Sequence, residues 1–256
     1  MELFYREYGS GYPVIMIHGL LGMSDSFIPA AKKLSEKYKV ILPDLRNHGN
    51  SPHSEDFNME VLAKDIIDLY HTLNYDSAVL IGHSLGGRVA ISASLKYPEL
   101  FSSLIVEDIA PRRYSGNKSM GSLLKAMICL DLAGCKSYTE IDHRLKTSVK
   151  DDRHRQLVLK NIAKNKQGNY VWKLNLEVIK ENLESLMVPV FEEVTFSKPA
   201  LFLKGELSHL IRPEDEKIIY QYFPSAKIEM IGNAGHWIHA DQPKAFLEKV
   251  MDFLCV

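Results

Sequence analysis

Val79-Leu80-Ile81-Gly82-His83-Ser84-Leu85-Gly86-Gly87 decides how this chain is read. A short apolar run rich in β-branched residues passes into Gly-x-Ser-x-Gly, and a helical pattern from Arg88 to Tyr97 follows at once. A serine on so sharp a strand-to-helix turn sits in a strained backbone conformation at the carboxyl edge of a sheet. Glycines two residues to either side remove side chains that would collide there. The bare three-position pattern arises by chance in roughly one chain in ten of this length. The strand before it and the helix after it make it specific.

Working outward, similar apolar runs lie at Val14 to Ile17, Val40 to Leu42, Leu104 to Val106, Ala200 to Leu203 and Ile228 to Ile231. Short continuous runs of this kind suit strands covered on both faces of a parallel sheet. Helical patterns separate them at Ser26 to Tyr38, Met59 to Leu73, Leu85 to Tyr97, Pro213 to Tyr222 and Pro243 to Leu254. The alternation predicts βαβ crossovers and a mostly parallel, doubly wound α/β sheet.

The rhythm breaks between about Pro111 and Ser197. There the patterns are helical, as at Leu123 to Leu132 and Leu176 to Met187, with one strand-like piece at Asn169 to Leu174. Residues 1–110 and 198–256 are thus expected to form the core and 111–197 a mainly helical cap inserted between two core strands. A cap over the strand ends would lie where open α/β sheets bind ligands. A helical ornament without a role in binding is the alternative.

The 256 residues are 46% hydrophobic and 25% charged, and 31 Lys and Arg against 32 Asp and Glu leave a net charge of −1. No block of one sign stands out, so neither nucleic acid nor an anionic membrane surface is expected as a partner. Met1 to Arg6 has neither a basic nor an apolar leader pattern, and no run approaches the length of a membrane span. The 3 cysteines, Cys129, Cys135 and Cys255, form no C-x-x-C pair. A reducing, cytoplasmic setting is the simplest expectation. No phosphate loop and no metal-spaced cluster is present, so no cofactor is expected. Nothing in the sequence specifies an oligomeric state.

A serine hydroxyl needs a base. Of 10 histidines, His236 stands in the loop Gly232 to Trp237 that follows the last apolar run, on the same sheet edge as Ser84. His83 adjoins the serine but points elsewhere and reads as structural, and His239 reads as the opening of the terminal helix. An oxyanion hole needs two backbone N–H groups. Leu85, directly after the serine, supplies one candidate, and Leu20 in His18-Gly19-Leu20-Leu21-Gly22 the other. Trp237, Met127, Leu130 and Leu186 could wall a pocket or simply pack the cap.

His-Gly-Leu-Leu-Gly at 18–22, Asp-Leu-Arg-Asn-His-Gly-Asn-Ser at 44–51, Gly-His-Ser-Leu-Gly-Gly at 82–87 and Gly-His-Trp at 235–237 resemble the α/β-hydrolase superfamily. The 44–49 phrase, with Asn233 to Ala240, is similar to the small YbfF-type esterases and their mitochondrial animal relatives. The resemblance implies an α/β-hydrolase fold and cofactor-free hydrolysis of small-molecule esters or acyl thioesters with small or linear acyl groups. Residues 44–51 read as a structural turn whose charged groups brace one another.

Many superfamily members carry an aspartate in a Gly-x-x-Asp turn after the penultimate strand, where this chain has Gly205-Glu206-Leu207-Ser208. A carboxylate must still orient the imidazole. Asp108, at the end of the strand after Ser84, is the first candidate, and some superfamily members take their acid from this strand. Glu206 and Glu177 compete with it, while Glu107 would face the other way. A water-bridged or absent acid is the remaining option. Ser84, Asp108 and His236 are therefore the expected triad of a serine esterase or thioesterase. Ser84 argues against dehalogenase or epoxide-hydrolase chemistry, which would need an aspartate there. A carbon–carbon bond hydrolase or related lyase, or a non-catalytic binding module on the same fold, stays as an alternative.

Overall fold

The computed structural model describes residues 1–114, 118–188 and 194–255. The first half of the chain runs through β1 (Tyr5–Tyr8), β2 (Tyr12–Ile17), α1 (Ile28–Leu34), β3 (Tyr38–Pro43), α2 (Met59–Leu73), β4 (Ala78–His83), α3 (Leu85–Lys96) and β5 (Phe101–Glu107). The interrupted stretch holds α4 (Lys118–Ile128), α5 (Tyr138–Leu145), α6 (Asp152–Lys160), β6 (Ile162–Lys164), β7 (Tyr170–Trp172) and α7 (Leu176–Asn182). The chain then resumes with β8 (Ala200–Gly205), α8 (Glu216–Tyr222), β9 (Ala226–Ile231), α9 (Ile238–Asp241) and α10 (Pro243–Leu254).

The main sheet has 7 strands in the order β1-β3-β2-β4-β5-β8-β9. All neighbours pair parallel except β1 with β3. Alternate residues of each inner strand feed opposite faces, as a period of two requires. Ile15 and Ile17 pack towards α2 and α3, and Val14 and Met16 towards α1 and α10. The carboxyl ends of β2, β4, β5, β8 and β9 therefore share one edge. The chain leaves β2 for β3 on one side and returns to β4 on the other, so the loops after β2 and β4 flank the switch point of the winding.

Several expectations are corrected. β1 escaped the apolar reading because Tyr-Arg-Glu-Tyr is a half-exposed edge strand whose Glu7 pairs with Lys39 at 2.8 Å. The helix expected over Ser26 to Tyr38 is a 3-10 turn at Ser24–Phe27 followed by the shorter α1, with proline in its first turn. His239 does not open the terminal helix. It lies in the separate α9, because Pro243 bars helical backbone at Gln242. In the inserted stretch, α5, α6 and β6 went unseen because their polar sequences bury only a few anchors, such as Ile141, Leu145 and Val158. No helix among the described residues is long and apolar enough to cross a membrane. All three cysteines are free.

In the 44–51 turn the two charged side chains, Asp44 and Arg46, brace other groups rather than each other. Asp44 accepts N–H groups of Ser24 at 2.6 Å and Asn50 at 2.8 Å, and Arg46 forks onto Asp65 of α2 at 2.5 and 2.7 Å. Its histidine locks the loop after β2. His48 Nε2 accepts the Leu21 N–H at 3.2 Å, while His18 Nε2 accepts the Leu45 N–H at 2.9 Å. Both imidazoles are buried. Desolvation holds His48 down at about 3, with the neighbouring His18 ring adding to the effect, and desolvation also lowers His18.

Both rings stay neutral in the folded chain where unfolded histidines, with an ordinary value of 6.5, take up protons. Below that value the unfolded state binds more protons, so stability falls as pH drops from about 6.5 towards 3. Urea midpoints measured between pH 7.5 and 5 should decline, and His48→Gln should flatten the decline. A pH-independent midpoint over this range would refute the account.

Candidate active site

Ser84 is the single residue between β4 and α3, with φ 53° and ψ −115°. A non-glycine residue at positive φ costs on the order of 1–3 kcal/mol, which the surrounding packing must impose. Here a side chain at Gly82 would strike the Gly86 carbonyl, and one at Gly86 would strike the carbonyl oxygens of Ile17 and His18. The elbow is thus pressed against the loop after β2. That contact carries Gly19 close to Ser84 and leaves Leu20 and Leu85 lining the same cavity as the serine. Leu85 is the first residue of α3, where a helix presents N–H groups without intrahelical acceptors.

Asp108 follows β5, fully buried, with φ 53°. Its Oδ2 accepts the His236 Nδ1–H at 2.8 Å and the Ser208 hydroxyl at 2.5 Å, and its Oδ1 accepts the Gly205 N–H at 3.2 Å. With Nδ1–H committed to Asp108, a neutral His236 ring carries its lone pair on Nε2. The ring is 28% exposed and lines the cavity with Ser84. Ser208, the residue in place of the usual aspartate, therefore hydrogen-bonds the carboxylate that lies at His236.

The competing acids are placed elsewhere. Glu206 accepts the Asn233 N–H at 2.7 Å, and Glu177 is an exposed partner of Lys180. Glu107 is buried on the other face and holds His239 Nδ1 at 2.7 Å and the His239 N–H at 2.9 Å. This second acid–imidazole pair was missed, although Glu107-Asp108 and His236-x-x-His239 offered the signal. His83 does not line the cavity. Its Nε2–H donates to the His236 carbonyl at 2.9 Å, and burial drives its pKa well below the ordinary value.

The cavity encloses about 610 Å³. Trp237 lines it, but Met127 and Leu186 are fully buried in packing and Leu130 faces a different hollow. Tyr114, Ser119, Met120, His154 and Met187 are wall residues that the inserted stretch supplies instead. Arg88 and Arg112 also line it, unforeseen from the sequence.

The inserted stretch is tied to the loops of the site. Asn161 donates to the Leu21 carbonyl at 2.7 Å, Tyr114 OH to the Leu210 carbonyl at 2.7 Å, and Asn175 N–H to the Asn47 carbonyl at 3.1 Å. Arg153 of α6 pairs with Asp241, whose Oδ2 also accepts the Gly235 N–H at 2.8 Å, and its guanidinium lies 5.4 Å from the Trp237 ring centroid.

Residues 12–127 match the family model described as the alpha/beta hydrolase fold. An esterase from a marine microorganism superposes with a TM-score of 0.96 at 38% identity, covering 98% of this chain and 99% of its own. An sn-1-specific diacylglycerol lipase of Danio rerio is 36% identical over 253 residues, 96% of this chain and 79% of the lipase. The esterase YbfF of Escherichia coli is 25% identical, covering 94% of this chain and 92% of its own. Fold, elbow and full-length kinship agree: the chain belongs to the α/β-hydrolase family, among relatives named as esterases and lipases.

Proposed function

We propose that this chain is a serine hydrolase of carboxylic esters or acyl thioesters, with Ser84 as nucleophile, His236 as general base and Asp108 as the carboxylate that orients it. The observation that carries the reading is the 2.8 Å bond from His236 Nδ1–H to buried Asp108 beside the strained Ser84 corner. His236 Nε2 takes the Ser84 proton as Oγ attacks the acyl carbonyl, and the oxyanion is held by the Leu20 and Leu85 N–H groups. The imidazolium then protonates the leaving alcohol or thiol, leaving an acyl-serine. Water, deprotonated by the same ring, attacks the acyl-serine and restores the hydroxyl.

Residues 111–197 act as the cap of this site, over a core of 1–110 and 198–256. Their ties to the loops at Leu21, Asn47, Leu210 and Asp241 support that division. The names of the relatives, esterases and a lipase, favour ester hydrolysis over cleavage of a carbon–carbon bond or mere binding, and small or linear acyl groups are the substrates proposed.

Initial rates on p-nitrophenyl esters from acetate to palmitate test the reading. Ser84→Ala should abolish turnover, and Asp108→Asn should lower kcat by about 10⁴ through the wrong tautomer. Turnover that survives in a folded Ser84→Ala protein sinks the assignment.

Ser208→Ala removes one donor from Asp108 while leaving the Gly205 and His236 bonds. It should cost about 1 kcal/mol, a tenfold fall in kcat or less. A loss as large as that of Asp108→Asn would move the decisive role to Ser208.

A further inference from the structure

Arg88 lies on α3, one helical turn past Ser84, with its N–H bonded to the Ser84 carbonyl at 3.0 Å. A helical side chain leans back over the turn before it, here towards the serine, and Arg88 lines the same cavity as Ser84 and Leu20. The residue is 2% exposed. Its Nη1 donates to the Arg112 carbonyl at 3.0 Å, but Nε and Nη2 find no hydrogen-bond partner among the described residues.

A buried cation without a carboxylate is costly, and proteins rarely carry one without use for it. The other buried guanidinium groups are paired, Arg46 with Asp65 at 2.5 Å and Arg155 with Asp142 at 2.9 Å, and the half-buried Arg112 pairs with Asp215 at 2.7 Å. Arg88 has only the Tyr114 ring, with its centroid 5.7 Å away, and no carboxylate among the described residues lines the cavity. Burial pulls the guanidinium down to about 10, with Tyr114 opposing the shift, so it remains cationic at neutral pH. Holding the Arg112 carbonyl needs one donor and leaves the other two nitrogens unexplained. Nε and Nη2 form one edge of the guanidinium plane, whose parallel N–H groups match the two oxygens of a carboxylate.

We propose that the cavity takes acyl groups ending in a carboxylate, as in half-esters or half-thioesters of short dicarboxylic acids, and that Arg88 binds that carboxylate. The inference rests on the esterase reading and names its substrate class. One turn of helix, about 5.4 Å, separates the two anchor residues along α3, which calls for a short chain between carbonyl and carboxylate.

The test compares mono-4-nitrophenyl glutarate with 4-nitrophenyl valerate, equal in acyl length and differing in the terminal charge. Wild-type kcat/KM should favour the glutarate at least about tenfold, the worth of a charged hydrogen bond. Glutarate itself should inhibit valerate hydrolysis competitively. Arg88→Met should collapse the ratio and the inhibition together, and Arg88→Lys should restore part of both. If Arg88→Met fails to fold, the wild-type ratio, glutarate inhibition and Arg88→Lys decide alone. Ser84-dependent valerate turnover with no glutarate preference and no inhibition overturns the carboxylate site and leaves the esterase standing. Glutarate that raises the Tm of wild type but not of Arg88→Met, with neither ester hydrolysed, overturns the esterase and supports the anion site.

Discussion

Two adjacent carboxylates leave the end of β5 on opposite faces, both without exposure to solvent. A buried carboxylate must find donors or lose its charge, and here the imidazole donors come from one stretch of chain after β9. Asp108 takes His236 and Glu107 takes His239 together with its backbone N–H. The loop is therefore fastened twice to the strand beside the elbow. Breaking either bond would strand a charge in the interior. The orientation of the proposed base follows from this demand, with Ser208 and Gly205 meeting what remains of the Asp108 oxygens.

On the other flank, the backbone of the proposed oxyanion loop is held by imidazoles that burial keeps neutral. A charged imidazole has no lone pair to offer, so His18 and His48 can accept N–H groups only because desolvation suppresses their protonation. Each ring also lies against a carbonyl through Nδ1, His18 at Gly19 and His48 at Arg46, at 2.8 and 2.9 Å. The loop needs this support because Leu21 sits at φ 60°. The Asn161 side chain adds a third tie from the inserted stretch.

The sequence made the parallel sheet legible because strands buried on both faces must be apolar throughout, as at Val79 to Ile81. Ser84 and His236 were legible because the turn chemistry around them is local. Asp108 could be named from its place at a strand end, since position on a parallel sheet implies the edge it faces. What stayed hidden depends on contacts between distant segments. Nothing in Gly205 to Ser208 announces that Ser208 will donate to Asp108, 100 residues away. The choice between pocket wall and packing stayed open for Met127 and Leu186, because only the packing of the inserted helices shows that Met187 meets the cavity and Met127 does not. Arg88, a charge in the otherwise uncharged first turns of α3, was visible, yet its missing partner emerges only when the neighbouring side chains are in place.

Asp241 is shared between α6 and the loop after β9. One of its oxygens holds the Gly235 N–H, next to the proposed base, and the other meets Arg153 of α6. Arg153 also rides over Trp237, directly after His236. The inserted helices and the imidazole thus share one anchor. Any displacement of α6 beyond the reach of the ion pair lets go of that anchor, and Asp241, which braces the loop bearing the imidazole, then loses a restraint. If the inserted helices roof the site as proposed, lifting them and holding the proposed base in place draw on the same carboxylate.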